Sequence, residues 1–329
     1  MRRAPAVVAI VIGLVLAVGV VAMSGFSKAS DGENLIVDAE SSVGEEGIVR
    51  FRSDVTALDA ASQDVVEKVF PAFAQELGIS EAEFEQRLRA THPEAATAFL
   101  DERATIFESL DSSVANLEAH QDDYDAADGI PTSWIPLTVM PWLALGFGLV
   151  LIGLGVWGWL RPGTGTAAAV AIAGVLLVSL TLIANLPPKG RKAERLLDSL
   201  NITEEVAATT RAQFDTFSAG IDDLREVFAE FAESQGQTPE EFGATVEQQL
   251  PNVAKVANDP TLLERMDFET RFREEHIDEF AAVKDVPLEA ASWSYVVLGG
   301  ILVLAGGLGL LLREGHREAG PEITPLSPE

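Results

Sequence analysis

The segment Ile135–Leu160, IPLTVMPWLALGFGLVLIGLGVWGWL, runs for 26 residues without Asp, Glu, Lys, Arg or His. A helix rises about 1.5 Å per residue, so about 20 apolar residues cross a hydrocarbon core of roughly 30 Å. This stretch is therefore expected to span a membrane. A six-residue connection, Arg161 to Thr166, leads to a second such stretch, Ala167–Leu186. Ala4–Met23 and Trp293–Leu312 have the same character, so the chain is expected to hold four spans. Arg2, Arg3 and Ser27-Lys28-Ala29 would suit a cleaved signal peptide. The apolar core between them is long for that role, and the segment is read as a retained anchor.

Composition agrees with a chain divided into apolar and acidic blocks. The chain has 329 residues, of which 47% are hydrophobic, and 51 acidic residues face 23 basic ones for a net charge of -28. Such acidity argues against nucleic acid as a partner, because phosphates need Lys and Arg. The absence of cysteine excludes disulfides, thiolate metal sites and cysteine nucleophiles, and suits a bacterial exported chain.

Basic residues in short loops set orientation. Arg2, Arg3, Arg161, Arg313 and Arg317 lie in the short segments, while most acids lie between the spans. Both termini are thus expected in the cytoplasm. Lys189, Arg191, Lys192 and Arg195 follow the third span and argue the other way, but long loops translocate largely regardless of charge. The expected order is an anchor at 1–23, a helical extracytoplasmic domain at 24–134, a span at 135–160 and a cytoplasmic loop at 161–166. A span at 167–186, a second extracytoplasmic domain at 187–292, a span at 293–312 and a cytoplasmic tail at 313–329 complete it.

The two halves resemble each other. Val69-Phe70-Pro71-Ala72-Phe73-Ala74 matches Val227-Phe228-Ala229-Glu230-Phe231-Ala232 at an offset of 158. Gly78, Ser80, Glu83, Phe84, Pro93 and Asp101 then fall on Gly236, Thr238, Glu241, Phe242, Pro251 and Asp259, and ten of 33 ungapped positions are identical. Ser133-Trp134 matches Ser292-Trp293 at the start of a span, and Arg161-Pro162-Gly163 resembles Arg313-Glu314-Gly315 after it. Fixed spacing of Gly, Pro and capping residues is the mark of an internal repeat. The fold class expected is an all-α integral membrane protein in tandem span–domain–span units, related by a pseudo-two-fold axis along the membrane normal.

Helical periodicity supports this between the spans. Val65, Val66, Val69, Phe70, Phe73 and Leu77 share one face, as do Leu224, Val227, Phe228 and Phe231. Gly78 and Gly236 are expected as C-caps, Ser80-Glu81-Ala82-Glu83 and Thr238-Pro239-Glu240-Glu241 as capping boxes, and Pro93 and Pro251 as helix starts. A long helix over 93–127 and a counterpart over 261–283 should lead back to the membrane, with breaks at Pro131 and Pro287. Ile48-Val49-Arg50-Phe51 reads as a short strand, and 29–46 as irregular.

Candidate sites are few. Gly153-Leu154-Gly155-Val156-Trp157-Gly158 fits G-x-G-x-x-G, but lies inside a span, where glycines serve close helix approach instead of phosphate binding. Ala144 and Gly148, Gly153, Gly306, and Ala305 and Gly309 are the expected span-packing residues. The acidic run Asp122 to Gly129 departs from the EF-hand spacing and reads as a solvated helix end. His276 and Glu279 share a helical face but lack an evident third ligand, and His92, His120 and His316 are scattered, so no metal or cofactor is expected. Asn201-Ile202-Thr203 is a glycosylation sequon, which would mean little if the source is bacterial. No hydrolase, metalloprotease or nucleotide-binding signature is present.

In outline, the span–helical domain–span unit resembles the sensory half of bacterial chemoreceptors; no residue motif extends that resemblance. The short cytoplasmic segments leave no room for a signalling domain, and the uncharged spans do not suit ion-coupled transport. The expectation is a non-enzymatic membrane accessory or scaffold protein, embedded in the lipid bilayer, whose acidic helical domains bind a membrane or envelope protein partner. The alternatives are an extracytoplasmic ligand-sensing module with a separate output subunit, its pocket lined by Phe70, Phe73 and Phe84, and an envelope hydrolase with an unrecognised site.

Overall fold

The computed structural model describes residues 3–130, 136–200 and 202–318. Pro131, Ser133, Trp134, Asn201 and Arg2, on which some expectations fall, lie outside the described residues. Among the described residues the chain is helical, without strands. Four helical segments are long and apolar enough to cross a membrane: Ala4–Ala22, Leu137–Leu160, Thr164–Ile183 and Ile277–Leu312.

The first compact unit comprises 1–36, 123–198 and 279–329. Its long helices are α1 (Ala4–Ala22), α9 (Met140–Leu160), α10 (Thr164–Ile183) and α17 (Leu288–Glu318). Between α1 and α9 the chain forms α2 (Gly25–Val43), α3 (Glu45–Asp64), α4 (Phe70–Leu77), α5 (Glu81–Thr91), α6 (Pro93–Ala96), α7 (Arg103–Ala119) and α8 (Gln121–Asp128). Between α10 and α17 it forms α11 (Leu186–Leu200), α12 (Glu204–Ser234), α13 (Pro239–Gln249), α14 (Pro251–Ala257), α15 (Leu262–Glu275) and α16 (Ile277–Lys284). All four long helices contribute to one core of Ala9, Ile12, Leu16, Leu151, Val170, Ala173 and Leu302. α1 packs most closely on α9, and α10 on α17. Leu149, Val156, Ile172, Leu176, Leu304 and Leu308 point outward, giving these helices the apolar exterior that lipid requires.

At one end of this unit Arg3 lies over the Trp159 ring at 4.6 Å and Arg161 over Trp157 at 5.0 Å. Elsewhere in the unit Phe26 meets Trp142 edge-on at 4.7 Å. The basic run after α10 is tied to local acceptors. Lys189 donates to the Gly129 carbonyl, Arg191 pairs with Glu289, and Arg195 lies 3.2 Å from Asp123.

The second unit comprises 37–122 and 199–278. The segments expected as separate domains at 24–134 and 187–292 thus share a single helical body, their ends near the spans grouping with the first unit. The physical reason is that each amphipathic segment presents one aromatic face, and each face is covered by the other. Phe73 stacks on Phe231 with centroids 3.7 Å apart. Phe84 sits 5.5 Å from Phe70 and 6.3 Å from Phe73, while Phe242 sits 5.8 Å from Phe228 and 6.1 Å from Phe231.

Local chemistry explains the elements. Gly78 and Gly236 end their helices in the left-handed region, at φ 67° and 66°. Ser80 and Thr238 start the next helices with complete capping boxes, at φ/ψ of -74°/156° and -75°/157°. Pro93 and Pro251 sit in the first turn of α6 and α14, after His92 and Leu250 at -132°/66° and -131°/67°.

Three expectations differ from what is observed. Residues 48–51 are helical: Ile48, Phe51, Val55 and Leu58 form one buried stripe, a helical period that a strand would split. Residues 29–43, expected to be irregular, belong to α2, whose Ala29, Leu35 and Ala39 are buried. The helices expected over 93–127 and 261–283 are broken: a π-helical turn at Thr97–Asp101 precedes α7, His120 separates α7 from α8, and His276 separates α15 from α16. A second π-helical turn, Val65–Val69, joins α3 to α4 just before Pro71, with the Phe70 N–H bonded to the Val65 carbonyl. Proline lacks an N–H and crowds the preceding turn, and the wider turn relieves both. α12 has Ala229 in the matching place and continues unbroken for 31 residues.

Candidate functional site

In the spans, glycine decides how closely the helices approach. A Cβ on Gly148 would lie 2.8 Å from the Gly13 carbonyl oxygen, and one on Gly299 would lie 2.9 Å from that of Gly174. A Cβ on Gly155 would lie 2.6 Å from the Ala6 carbonyl, and one on Gly306 would lie 2.6 Å from that of Ala167. These are backbone-to-backbone contacts that any side chain would force apart. Gly309 abuts Pro5 and Ala167. Ala144 and Ala305 are half-buried. Gly153 has open space where a Cβ would be, so it is not at a seam within the chain. A single count of small residues cannot tell the inward glycines from the outward ones. Gly13, Gly155, Gly174 and Gly299, absent from the expected set, are recoverable only once the partner helix is known.

Phe70, Phe73 and Phe84, weighed as a pocket lining, are buried core. A shallow groove of about 220 Å³ lies instead among Arg50, Phe51, Asp54, Arg265, Phe268 and Glu269. Arg265 in its lining is held in place: its Nε and Nη2 each donate to Asp54 at 2.7 Å, and its Nη2 also reaches Asp259 at 2.9 Å. Hydrogen bonds from Arg265 and Thr261 pull the Asp259 carboxyl down to about 2, and Asp54 with Asp259 raises the Arg265 guanidinium further above its usual range. The other buried carboxylates are also partnered: Asp64 accepts from Asn252 and Lys68, and Asp123 pairs with Arg195.

One histidine cluster stands out. His92 is only 6% exposed, at the entry to α6. Its Nδ1 lies 2.8 Å from Asp223 Oδ1 and its Nε2 lies 3.4 Å from Glu230 Oε2. Asp223 Oδ2 accepts the Ala95 N–H at 3.0 Å. Among the described residues, His92, Asp223 and Glu226 form the group whose ligand atoms come within 4.8 Å of one another. Burial pushes the imidazole's pKa down, but hydrogen bonds to Asp223 and Glu230 outweigh it, and the net shift is upward. His92 and its acids lie about 130 positions apart, so the sequence alone shows only scattered histidines. The signal available was Asp223, Glu226 and Glu230 at i, i+3 and i+7, three carboxylates on one helical face.

The remaining expected sites resolve into structure. His276 caps α15, stacks on Phe272 and lies 3.0 Å from Asp38, while Glu279 belongs to the next helix. The acidic run from Asp122 lies in the helix α8, but it is not a solvated end throughout, since Asp123, Tyr124 and Ala127 are buried. No known family model matches the chain. No curated protein and no solved structure matches it either.

Proposed function

We propose that this chain is a non-enzymatic accessory or scaffold protein of a cell membrane, built as two copies of a span–domain–span unit. In this reading both termini are cytoplasmic and the acidic helical unit stands on the extracytoplasmic side, where it engages a membrane or envelope protein partner. The observation that carries the reading is the pairing of uncharged spans through glycine, α1 with α9 and α10 with α17, around one apolar core. Such spans form a packed anchor without a polar pathway, which leaves the work to the helical unit and to lateral contacts. The equal geometry of the Gly78 and Gly236 turns, and the stacking of Phe73 on its counterpart Phe231, support the two-copy reading. Arg3 and Arg161 over tryptophans at one end suit the basic, aromatic rim of a cytoplasmic face. The excess of acids favours a basic partner surface.

The groove beside Phe51 and Phe268 favours a second reading, a ligand-sensing module. Its two aromatic rings, with Arg50 and Arg265 set against Asp54, Glu264 and Glu269, would suit a ring-bearing molecule that carries both donors and acceptors. In-cell crosslinking of a C-terminally tagged chain, followed by mass spectrometry, separates the two. A stoichiometric membrane or envelope partner crosslinked to the helical unit is the expected result. Recovery of the chain alone would overturn the scaffold reading and move the weight to the groove.

A further inference from the structure

We propose that His92 Nε2 and Glu230, with Glu226 one turn away and Asp223 fixing the ring through Nδ1, bind a divalent transition-metal ion of the zinc class. The argument begins with Asp223. Its Oδ2 is held by the Ala95 N–H at 3.0 Å and its Oδ1 faces His92 Nδ1 at 2.8 Å. A carboxylate only accepts, so Nδ1 carries the hydrogen of that bond. In the neutral ring, Nε2 then presents a lone pair, and what it meets is another acceptor, Glu230 Oε2 at 3.4 Å. Two acceptors turned toward each other call for positive charge between them. Zinc binds imidazole nitrogen and carboxylate oxygen at about 2.0–2.2 Å, which at a tetrahedral angle sets two ligands roughly 3.4 Å apart. A carboxylate that fixes the far nitrogen of a metal-bound histidine is the usual orienting partner of such ligands. Glu226, one turn before Glu230 on α12, has its ligand atom within 4.8 Å of those of His92 and Asp223.

Imidazole among carboxylates selects zinc-like ions over calcium or magnesium, which prefer all-oxygen cages. The ion would join residues of the segment before α9 to those of α12, adding a crosslink to the helical unit. Among the described residues the cluster is not repeated: Leu250 occupies the place that matches His92, with backbone angles of -131°/67° against -132°/66°. One ion per chain is therefore expected.

The competing occupant is a second proton, which would make an imidazolium clamp. The test uses the full chain purified in detergent, stripped with chelator and titrated with zinc by calorimetry and with cobalt by visible absorption. Expected are one saturating equivalent at micromolar zinc, a cobalt spectrum of low-symmetry coordination and a higher melting temperature. Glu226→Gln retains the His92–Asp223 contact and should weaken binding at least tenfold, and Asp223→Asn should weaken it by about 10–100-fold. His92→Gln should abolish it, with circular dichroism confirming that the variant is folded. No saturable binding up to ~100 μM zinc would overturn the site, leaving the proton as its occupant. Equal binding by Glu226→Gln and the parent chain would also overturn it, placing the metal on the acidic surface.

Discussion

Phe73 and Phe231, 158 positions apart, lie face to face with ring centroids 3.7 Å apart and planes 15° from parallel. Each belongs to an aromatic trio, Phe70–Phe73–Phe84 and Phe228–Phe231–Phe242, and the stack joins the two trios. Phe73→Ala is expected to destabilise the helical unit by about 3–5 kcal/mol. The double variant with Phe231→Ala should fall short of the sum of the singles by about 0.5–3 kcal/mol. Chemical denaturation of the four proteins checks this; strict additivity would mean that the rings are not coupled.

The span seams make a sharper contrast. Gly148→Leu and Gly299→Leu should each push a helix pair apart and lower thermal stability in detergent, since their Cβ positions meet backbone at 2.8 and 2.9 Å. Gly153→Leu should leave the isolated chain's melting unchanged, because nothing lies within 4 Å of its Cβ position. Equal losses at 148 and 153 would contradict the seam.

The π-helical turn before Pro71 yields a third test. Ala229→Pro places proline in an uninterrupted helix without a prepared turn, and should cost ~3 kcal/mol or more. Pro71→Ala removes a proline whose clash is already relieved and should have a much smaller effect. Thermal melting of both variants decides it, and the reverse ranking would sink the explanation.

Asp259 gives a pH dependence. Its carboxyl is held at about 2 against an ordinary 3.8, first by Arg265 and then by Thr261. A depressed carboxylate stabilises above its unfolded value and loses that contribution as pH falls through its folded one. Melting temperatures should therefore decline between pH 4 and 2, and Asp259→Asn should flatten that part of the curve. An unchanged profile in the variant would assign the decline to other groups.

Much of this architecture was legible in advance because it is written locally. Long charge-free runs mark the spans, and Gly78, Ser80, Glu83 and Pro93 mark caps through bonds spanning only a few residues. What was illegible depends on partners distant in sequence. The strand expected at 48–51 became a helix because Ile48 and Phe51 share a buried face. The outward setting of Gly153 depends on where α1 lies, and the His92 cluster depends on α12 packing beside α6. Periodicity identifies which face of a helix is apolar, but not which other helix will cover it.

The shared core of the helical unit also sets a schedule for biogenesis. Phe73 leaves the ribosome 158 residues ahead of the ring on which it stacks. At elongation rates of about 5–20 residues per second, that is a wait of roughly ten to thirty seconds. Throughout it, the aromatic face of α4 and α5 is a nascent surface without its cover. A chaperone that covers that face during the interval should raise the chain's yield in the cell.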